Sequence, residues 1–289
     1  MSQSYRHVKP FLKWVGGKTQ ILPEIRKRYP AKFDNYYEPF LGAGAVFLDV
    51  IANFDVKNVY ASETNTDLVN LWNHVVNRTE RYALCTHLEA LQSEYYATSS
   101  DMQQALFLHK RTLFNSMPAS IEKSALFIFL NKTCFNGLYR TNQKNEFNVP
   151  FGKYQNPKIY EKQLIHDIGD ALKTIRGVKI LNQDALRPSI EVDNSYFIYV
   201  DPPYRPVSKT SFTGYQGFSF TDEQQRELAQ NCNKWAGAKI LISNSDAGDG
   251  FFEELYKGWH IERIKERRAV SASKAGRKPV STLLIRNYL

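Results

Sequence analysis

The sequence predicts an α/β fold in which an insertion divides the sheet-forming part of the chain. Short apolar runs alternate with helical patterns near both ends of the chain, in the β-α-β-α order typical of a sheet covered by helices. The middle of the chain is polar, basic and irregular by comparison. We therefore expect a discontinuous sheet domain over residues 1–77 and 159–289, with a separate module inserted over residues 78–158.

The N-terminal part of the chain predicts two strand–helix pairs. Residues 35–40 fit a short strand that runs into a glycine turn, and the apolar "AVFLDVI" after the turn fits a buried helix. "VKNVYASETN" predicts a second strand that ends near Ser62. "TDLVNLWNHVVN" predicts a helix capped by Thr66, because a threonine side chain can accept a hydrogen bond from the first free amides of a helix.

The inserted part is predicted to be helical at first and then irregular. The pattern is helical from Arg78 to about Met117, and "IEKSALFIFLNKTCF" predicts a largely apolar helix. The next stretch, "NGLYRTNQKNEFNVPFGKYQNPK", is rich in Asn, Gly, Pro and basic residues, and its centre "TNQKNEF" predicts a hairpin or an extended loop. Because the insertion is more basic and less regular than its flanks, it is a candidate recognition module.

The C-terminal part of the chain returns to the sheet pattern. Strands are predicted in "VKILNQDAL", "SYFIYV" and "AKILISNSD", and the apolar, aromatic run from Ser195 to Val200 is typical of a central buried strand. "TDEQQRELAQNCNKWA" predicts a helix that Thr221 caps, with acidic residues in its first turn. "WHIERIKERRAV" and "VSTLLIRNYL" predict a closing pair of antiparallel strands.

Length and composition fit a soluble globular protein and argue against several other classes. The 289 residues are 43% hydrophobic, and no apolar run approaches the ~20 residues that a membrane helix needs, so no membrane partner is expected. The polar N-terminus, Met1 to Lys9, argues against a signal peptide. The three cysteines lie far apart without a C-x-x-C pair, so we expect no metal site, no disulfide framework and a cytoplasmic location.

The net charge of +9 is concentrated in three parts of the chain, residues 1–32, 131–162 and 263–289. Basic stretches interleaved with Tyr, Phe and Trp suit a polyanion such as DNA, because phosphate neutralisation dominates such affinity. The same charges could instead form an ordinary solvated surface, as they do in many enzymes. Charge alone leaves both interpretations open.

"FLKWVGGKT" has the ending of a phosphate-binding loop but lacks its beginning. A P-loop has the pattern G-x-x-x-x-G-K-[ST], which would require glycine where this sequence has Leu12. Phe11 and Leu12 are also too short a run for the buried strand that precedes such a loop. The sequence therefore argues against an NTPase and predicts a tight turn before a helix that starts near Thr19.

A second glycine motif indicates an adenosine-type cofactor that has no pyrophosphate. Gly42 and Gly44 stand at a predicted strand-to-helix turn, but Phe47 occupies the third glycine position of a dinucleotide fingerprint, which argues against an NAD oxidoreductase. Glu63 lies at the end of the next predicted strand, where an acidic side chain can accept hydrogen bonds from ribose hydroxyls. S-adenosylmethionine fits this description.

The motif "DPPY" at the end of a predicted buried strand carries the strongest chemical signal. An exocyclic amine such as adenine N6 is a poor nucleophile, and a carboxylate and a carbonyl that accept its N–H bonds can favour a more nucleophilic nitrogen. Asp201 offers the carboxylate, Pro202 the carbonyl, and Tyr204 a ring on which a base can stack. Pro203 helps Pro202 to stiffen the loop, although a proline pair also occurs in ordinary loops.

Together, "FLKWVGGK", "EPFLGAGAVF", "NGLYR…EFNVPFGKY" and "VDPPY" resemble the Dam-type DNA adenine N6 methyltransferases. The motifs occur in the order of the alpha class, and the similarity runs from about Phe11 to the C-terminus. The resemblance implies a Rossmann-like S-adenosylmethionine-dependent methyltransferase sheet with an inserted target-recognition domain and a DNA-reading hairpin. It also implies methylation of the adenine of GATC in double-stranded DNA, with the adenine flipped out of the duplex.

The resemblance further implies roles for individual residues. Lys18 would bind the methionine carboxylate of the cofactor, Glu63 would bind its ribose, and Asp184 would bind its adenine amine. The remaining residues implied at the cofactor are Trp14, Gly17, Glu38, Pro39, Phe40, Gly42, Gly44 and Asp201. The residues implied at the DNA are Lys13, Phe135, Asn136, Leu138, Arg140, Pro150, Lys153 and Tyr154. Three positions depart from common family residues, with Glu63 in place of Asp, Phe135 where Tyr also occurs and Lys153 where Arg is common.

Two other functions remain open at this point. The chain could methylate a different amino group, such as cytosine N4 or a protein glutamine, although the predicted recognition hairpin argues against a protein substrate. It could also be a DNA-binding module without catalysis, although intact Asp201 and Lys18 argue against this. A cognate restriction endonuclease that acts separately would be a further partner.

Overall fold

The computed structural model describes residues 8–205, 220–266 and 280–289. In this part of the chain the α-helices are α1 (Leu22–Arg26), α2 (Ala45–Asn53), α3 (Thr66–Val76), α4 (Arg78–Ala97), α5 (Gln103–Ser116), α6 (Ile121–Thr133), α7 (Lys162–Leu172), α8 (Asp222–Lys234) and α9 (Phe251–Leu255). The strands are β1 (Asn35–Glu38), β2 (Asn58–Glu63), β3 (Gly177–Asn182), β4 (Tyr196–Val200), β5 (Lys239–Ser245), β6 (His260–Glu266) and β7 (Val280–Arg286). The fold is therefore mixed α/β, as predicted.

The chain forms two compact units, each assembled from separate segments of sequence. The first contains Met1–Gly17, Gly42–Asp55 and Glu63–Asn182, and the second contains Lys18–Leu41, Val56–Ser62 and Gln183–Leu289. The boundaries of these compact units differ from those of the predicted sheet domain (residues 1–77 and 159–289) and inserted module (residues 78–158). The recognition domain expected over residues 78–158 therefore stays a prediction.

The second unit is built on a sheet with the strand order β2-β1-β4-β5-β7-β6. β2, β1, β4 and β5 run parallel, and β7 is antiparallel to both β5 and β6. The register aligns Tyr37 with Ile198 and Ile198 with Ile240. The predicted antiparallel pair is confirmed, while residues 267–270 of its first segment lie outside the described residues, as do the basic residues of 1–7 and 267–279.

β4 is a central strand because its side chains are apolar or aromatic on both faces. All five residues of β4 are buried, as expected for a strand of a parallel sheet that is covered on both sides. α8 packs on this sheet through buried residues such as Leu228 and Cys232. The predicted Thr221 cap is confirmed, since Thr221 and Gln224 form a reciprocal capping box. The carboxyl ends of β1, β4 and β5 consequently lie at one edge of the sheet.

The first unit has Trp72 of α3 at the centre of its aromatic core. Trp72 is fully buried and meets Phe11 and Phe47 edge-on, at centroid distances of 5.1 and 5.4 Å. The predicted Thr66 cap of α3 is wrong. Asn65 caps the helix, because its side-chain oxygen accepts a hydrogen bond from the Leu68 amide, whereas Thr66 is already the first helical residue.

The remaining helices and the hairpin of the first unit follow the predicted pattern. α4 and α5 occupy the stretch predicted to be helical, and α6 is buried along most of its length. Isolated antiparallel bridges join Cys134 to Phe151 and Thr141 to Phe147, which confirms a hairpin around "TNQKNEF". α7 was not anticipated, although its apolar residues recur at helical spacing. Within the described residues, no helix is long and apolar enough to cross a membrane.

Candidate active site

Asp201, the first residue after β4, lies at the carboxyl edge of the parallel strands of the second unit. Ligands of α/β sheets bind at this edge, so the motif stands where the sequence predicted it. Asp201 is half-buried, Pro202 is buried, Pro203 is exposed and Tyr204 is half-buried. The loop therefore presents a carboxylate and an aromatic ring beside a rigid proline pair.

Lys18 forms an ion pair with Asp201. The side chain comes from a 3-10 turn over Lys18–Gln20 and is only 7% exposed. Its Nζ lies 2.6 Å from Asp201 Oδ2 and 4.6 Å from the centre of the Tyr204 ring. A buried ammonium group is costly without an opposite charge, and Asp201 supplies one. Lys18 and Asp201 therefore form a charged pair inside the second unit.

A serine from the neighbouring strand holds the other oxygen of Asp201. Ser243, fully buried in β5, donates a hydrogen bond to Asp201 Oδ1 at 2.7 Å. The Tyr199 hydroxyl lies 2.9 Å from the Ser243 oxygen. Burial, and next the charge of Asp201, raises the pKa of Tyr199 well above its usual value, so Tyr199 keeps its proton and can donate to Ser243. The chain Tyr199–Ser243–Asp201 therefore fixes the orientation of the carboxylate.

Polar residues of β5 and α8 anchor the rest of the loop. Gln225 donates to the Pro203 carbonyl at 3.3 Å and accepts from Asn244 at 3.2 Å. Asn244 also accepts from the Arg205 amide at 3.2 Å, and Ser245 donates to the Arg205 carbonyl. These bonds hold the backbone on both sides of Tyr204.

The Arg205 side chain adds an ionic anchor to this end of the loop. Its Nε and Nη2 donate to the two Asp222 oxygens at 2.7 and 3.0 Å, and its Nη1 donates to Asp249 at 2.5 Å. These hydrogen bonds to Arg205 lower the pKa of Asp222 and of Asp249. The fork geometry of arginine suits this pairing with a carboxylate.

Glu38 ends β1 at the same edge of the second unit, and Pro39 and Phe40 follow it. Glu38 is only 2% exposed and accepts a 2.5 Å hydrogen bond from the Tyr36 hydroxyl. Burial, and next the charge of Glu38, raises the pKa of Tyr36 well above its usual value, which keeps Tyr36 a donor. The Pro39 carbonyl accepts from Ser62 at 3.1 Å. Phe40 remains half-buried, with Phe220 edge-on at 5.8 Å.

Asp184 also belongs to the second unit. It lies on an exposed turn, where its Oδ1 accepts from the Leu186 amide at 2.9 Å. This bond fixes the turn and leaves the side chain at the surface. Its predicted contact with the cofactor adenine stays a prediction.

The second glycine motif lies in the first unit, with Trp14 against it. Gly42 and Gly44 have φ angles of 49° and 68°, which glycine adopts without strain. A Cβ on Gly42 would come within 3.0 Å of the Trp14 ring. The Gly17 amide donates to the Trp14 carbonyl at 3.2 Å, which closes the tight turn that the sequence predicted. Glycine is therefore required at Gly42 by both conformation and space.

Glu63 binds the glycine turn through backbone amides of the first unit. Its Oε2 accepts from the Gly42 amide at 3.1 Å, while its Oε1 accepts from the amides of Thr64 and Asn65 at 2.9 and 3.0 Å. An ionised carboxylate has about four acceptor positions, so these bonds occupy most of them. Glu63 is consequently well fixed, with limited capacity for the predicted ribose contact.

Several residues predicted to face DNA lie together in the first unit. Phe135 is 51% exposed, and its amide donates to the Pro150 carbonyl at 2.8 Å. Asn136 has φ of 55°, unusual for a residue other than glycine, and its amide donates to the Tyr154 hydroxyl at 3.0 Å. The Lys13 ammonium lies 4.6 Å from the centre of the Tyr154 ring. The structure therefore brings both ends of the hairpin and the N-terminal stretch into contact.

The remaining predicted DNA residues lie along the same hairpin. Arg140 is exposed, and its Nε donates to Asn148 Oδ1 at 2.7 Å, across the hairpin. Leu138 is half-buried, with its carbonyl 3.3 Å from the Cys134 sulfur. Lys153 is exposed and has φ of 55°. Strained residues of this kind cluster at functional sites.

Comparison with known proteins identifies the family. The model of the D12 class N6 adenine-specific DNA methyltransferases matches residues 14–270. The chain belongs to this family. Its relatives include the type II methyltransferase M.MjaIII of Methanocaldococcus jannaschii, 40% identical over 97% of this chain and 99% of that protein. The DNA adenine methylases of Haemophilus influenzae and Escherichia coli are 37% and 34% identical, over 96% of this chain and 92% and 94% of theirs.

Family membership confirms the predicted resemblance and the predicted reaction. A D12 methyltransferase is an enzyme that methylates adenine N6 in DNA, so the reaction at cytosine N4 or glutamine and the non-catalytic alternative are set aside. The mixed α/β architecture agrees with the predicted methyltransferase fold. The reaction requires a methyl donor and a DNA substrate.

The sequence did not single out the residues that support Asp201 in this D12 methyltransferase. Ser243, Asn244, Gln225 and Arg205 hold the "DPPY" loop but carry no motif of their own. One signal was available, since the apolar strand predicted in "AKILISNSD" ends in a run of polar residues. Polar groups at the carboxyl end of a parallel strand point to the ligand-binding edge.

Proposed function

We propose that this D12 methyltransferase uses S-adenosylmethionine to methylate the adenine of GATC in double-stranded DNA. The observation that carries the proposal is the Asp201 carboxylate, held after β4 by Lys18 and Ser243. A fixed carboxylate beside a proline carbonyl and a tyrosine ring suits an exocyclic amine on a planar base. The four sequence motifs that accompany it support GATC as the site.

The residues present fit S-adenosylmethionine by their chemistry. Trp14 and Phe40 offer aromatic surface, Lys18 offers a cation for a carboxylate, and Asp184 offers an acceptor for an amine. Glu63 would accept from a ribose hydroxyl by giving up one of its present hydrogen bonds. The Gly42 turn, which a Cβ would crowd, allows close approach of a ligand to the backbone. Other residues proposed at the cofactor are Gly17, Glu38, Pro39, Gly44 and Asp201. When bound, S-adenosylmethionine supplies an electrophilic methyl group on its sulfonium.

The protein's own groups prepare the adenine for this transfer. Asp201 accepts one N–H of the N6 amine, and the Pro202 carbonyl accepts the other, which favours a pyramidal nitrogen with an available lone pair. Tyr204 stacks on the base that has left the duplex. Ser243 keeps the Asp201 carboxylate in this orientation. Because Lys18 already neutralises Asp201, we propose that it shares its charge with the cofactor carboxylate on binding.

We propose that the hairpin of the first unit recognises the DNA. Phe135, exposed beside Pro150, enters the duplex where the adenine leaves, and Asn136, Lys13 and Lys153 bind the backbone. Arg140 reads guanine O6 and N7 in the major groove. Leu138, Pro150 and Tyr154 contact base edges beside it.

The names of the relatives bear on the biological setting. Type II methyltransferases occur among them, which supports a restriction endonuclease that acts separately as a further partner. Proteins named DNA adenine methylase also occur among them, which supports adenine in DNA as the methylated base. A DNA substrate and three buried free cysteines support a cytoplasmic location.

The proposal is tested with purified protein, S-adenosylmethionine labelled in its methyl group and two short duplexes. One duplex contains a single GATC, and the other has the same composition with that site scrambled to GTAC. We expect labelled N6-methyladenine in the first duplex alone. Equal labelling of both duplexes would reject GATC specificity, and the absence of labelling with this donor would reject S-adenosylmethionine.

A further inference from the structure

Asn131, near the end of α6, makes three hydrogen bonds that no sequence motif indicated. Its Oδ1 accepts from the Lys13 amide at 3.0 Å, and its Nδ2 donates to the Lys13 carbonyl at 2.8 Å and to the Gly137 carbonyl at 3.0 Å. The side chain is 3% exposed. One buried amide therefore ties the N-terminal stretch to the turn that carries Phe135 and Asn136, and an asparagine matches one donor and two acceptors there.

Aromatic stacking joins the same parts of the first unit independently. The Trp14 ring stacks on Phe127 at 6.2 Å, Phe127 stacks on Tyr139 at 5.2 Å, and Tyr139 contacts Phe147 of the hairpin at 5.7 Å. Phe127 lies one helical turn before Asn131, so both side chains leave the same face of α6. This aromatic column runs from the residue after Lys13 to the hairpin.

The junction around Asn131 is too tightly packed to move without cost. A Cβ on Gly137 would lie 2.5 Å from Lys13 Cβ, and Gly137 has φ of 64°. Lys13 also holds its ammonium over Tyr154, whose hydroxyl accepts from the Asn136 amide. A shift of the turn at Gly137 must therefore move Lys13, and with it Trp14.

We propose that Asn131 is a positioning residue that couples DNA recognition to cofactor binding. DNA that contacts Phe135 and Asn136 stabilises the turn at Gly137. Asn131, hydrogen-bonded to both Gly137 and Lys13, then stabilises the position of Lys13, and with it that of Trp14 beside the cofactor. The coupling works in both directions, because two binding events that share one ordered element must favour each other equally. This inference rests on the proposed roles of Trp14 and of the hairpin.

The test measures the affinity of the protein for sinefungin, a cofactor analogue without a transferable methyl group, with and without a GATC duplex. In the wild type we expect the duplex to raise this affinity by about fivefold or more, the lower end of typical coupling. Asn131→Asp keeps the acceptor for the Lys13 amide but replaces both donors by a charge that faces two carbonyls. We expect the enhancement to fall to near one, while affinity without DNA stays close to the wild-type value.

Asn233→Asp makes the same chemical change at an exposed position of α8 and should keep the full enhancement. If Asn131→Asp does not fold, as judged by circular dichroism, Gly137→Ala perturbs the same junction from its other side and should also lose the enhancement. A folded variant of either kind with undiminished enhancement would overturn the proposal, as would a wild type with no enhancement. A wild type that fails to methylate the GATC duplex would instead contradict the proposed function.

Discussion

Replacing Ser243 by alanine tests whether the hydrogen bond to Asp201 supports catalysis. The substitution removes a fully buried donor that lies 2.7 Å from a charged acceptor. A hydrogen bond to a charged group contributes about 1.5–3 kcal/mol. If the bond serves to orient the carboxylate in the transition state, its loss should lower kcat by about 10- to 150-fold, since roughly 1.4 kcal/mol corresponds to a factor of ten.

The assay measures kcat and the KM for DNA and for S-adenosylmethionine in the steady state, and single-turnover methylation of a GATC duplex assigns the change to the methyl-transfer step. We expect kcat to fall while both KM values change little, because the substitution releases the orientation of Asp201 and leaves the other residues proposed at the cofactor and at the DNA in place. Tyr199→Phe is the matched comparison, since it removes the other partner of Ser243 and leaves the bond to Asp201 in place, so kcat should fall less than in Ser243→Ala. Ser243→Thr restores a hydroxyl and should recover part of the rate. A wild-type kcat in a folded Ser243→Ala protein would refute the orienting role.

Three further predictions follow from the same geometry. Lys18→Ala removes the ion pair of Asp201 and should weaken sinefungin binding in isothermal titration, so normal binding would exclude Lys18 from the cofactor site. Gly42→Ala should destabilise the protein in urea by about 1–2 kcal/mol because φ is 49°, whereas Gly237→Ala, with no atom near its Cβ, should be nearly neutral. Arg205 lowers the pKa of Asp222, so its stabilisation is present above the unfolded aspartate pKa of about 3.9 and is lost as pH falls through the lower folded pKa. The Arg205–Asp222 pair is partly exposed and should stabilise the protein by about 1 kcal/mol or less. The difference in Tm between wild type and Asp222→Asn should therefore disappear in acid, and a difference that persists would contradict this origin.

Local sequence patterns predicted the elements that depend on near neighbours. The apolar run of β4 and the Thr221 capping box could both be predicted because their signals lie within a few residues. The start of α3 could be predicted to within one residue, but Asn65 and Thr66 are both good caps, and only the Leu68 amide decides between them. Local propensity therefore fixes the existence of an element better than its boundary.

The support of the candidate site could not be predicted in this way. Lys18 and Asp201 lie far apart in the chain, and their ion pair depends on how β4 and the turn at Lys18 pack. Ser243 reaches Asp201 only because β5 pairs with β4 in a register that aligns Ile242 with Val200. Asn131 likewise contacts Lys13 only because the fold brings together two parts of the chain that are distant in sequence. Motif resemblance located the reacting residues, whereas the residues that hold them became visible only in three dimensions.

Base-resolved sequencing of methylated DNA tests the central claim most directly. The chain is expressed in a host whose DNA lacks adenine methylation, alongside an Asp201→Ala variant whose DNA binding is verified separately. We predict N6-methyladenine at GATC on both strands with the wild type and none with the variant. Methylation at cytosine, methylation at another site, or turnover that survives in Asp201→Ala would contradict the account.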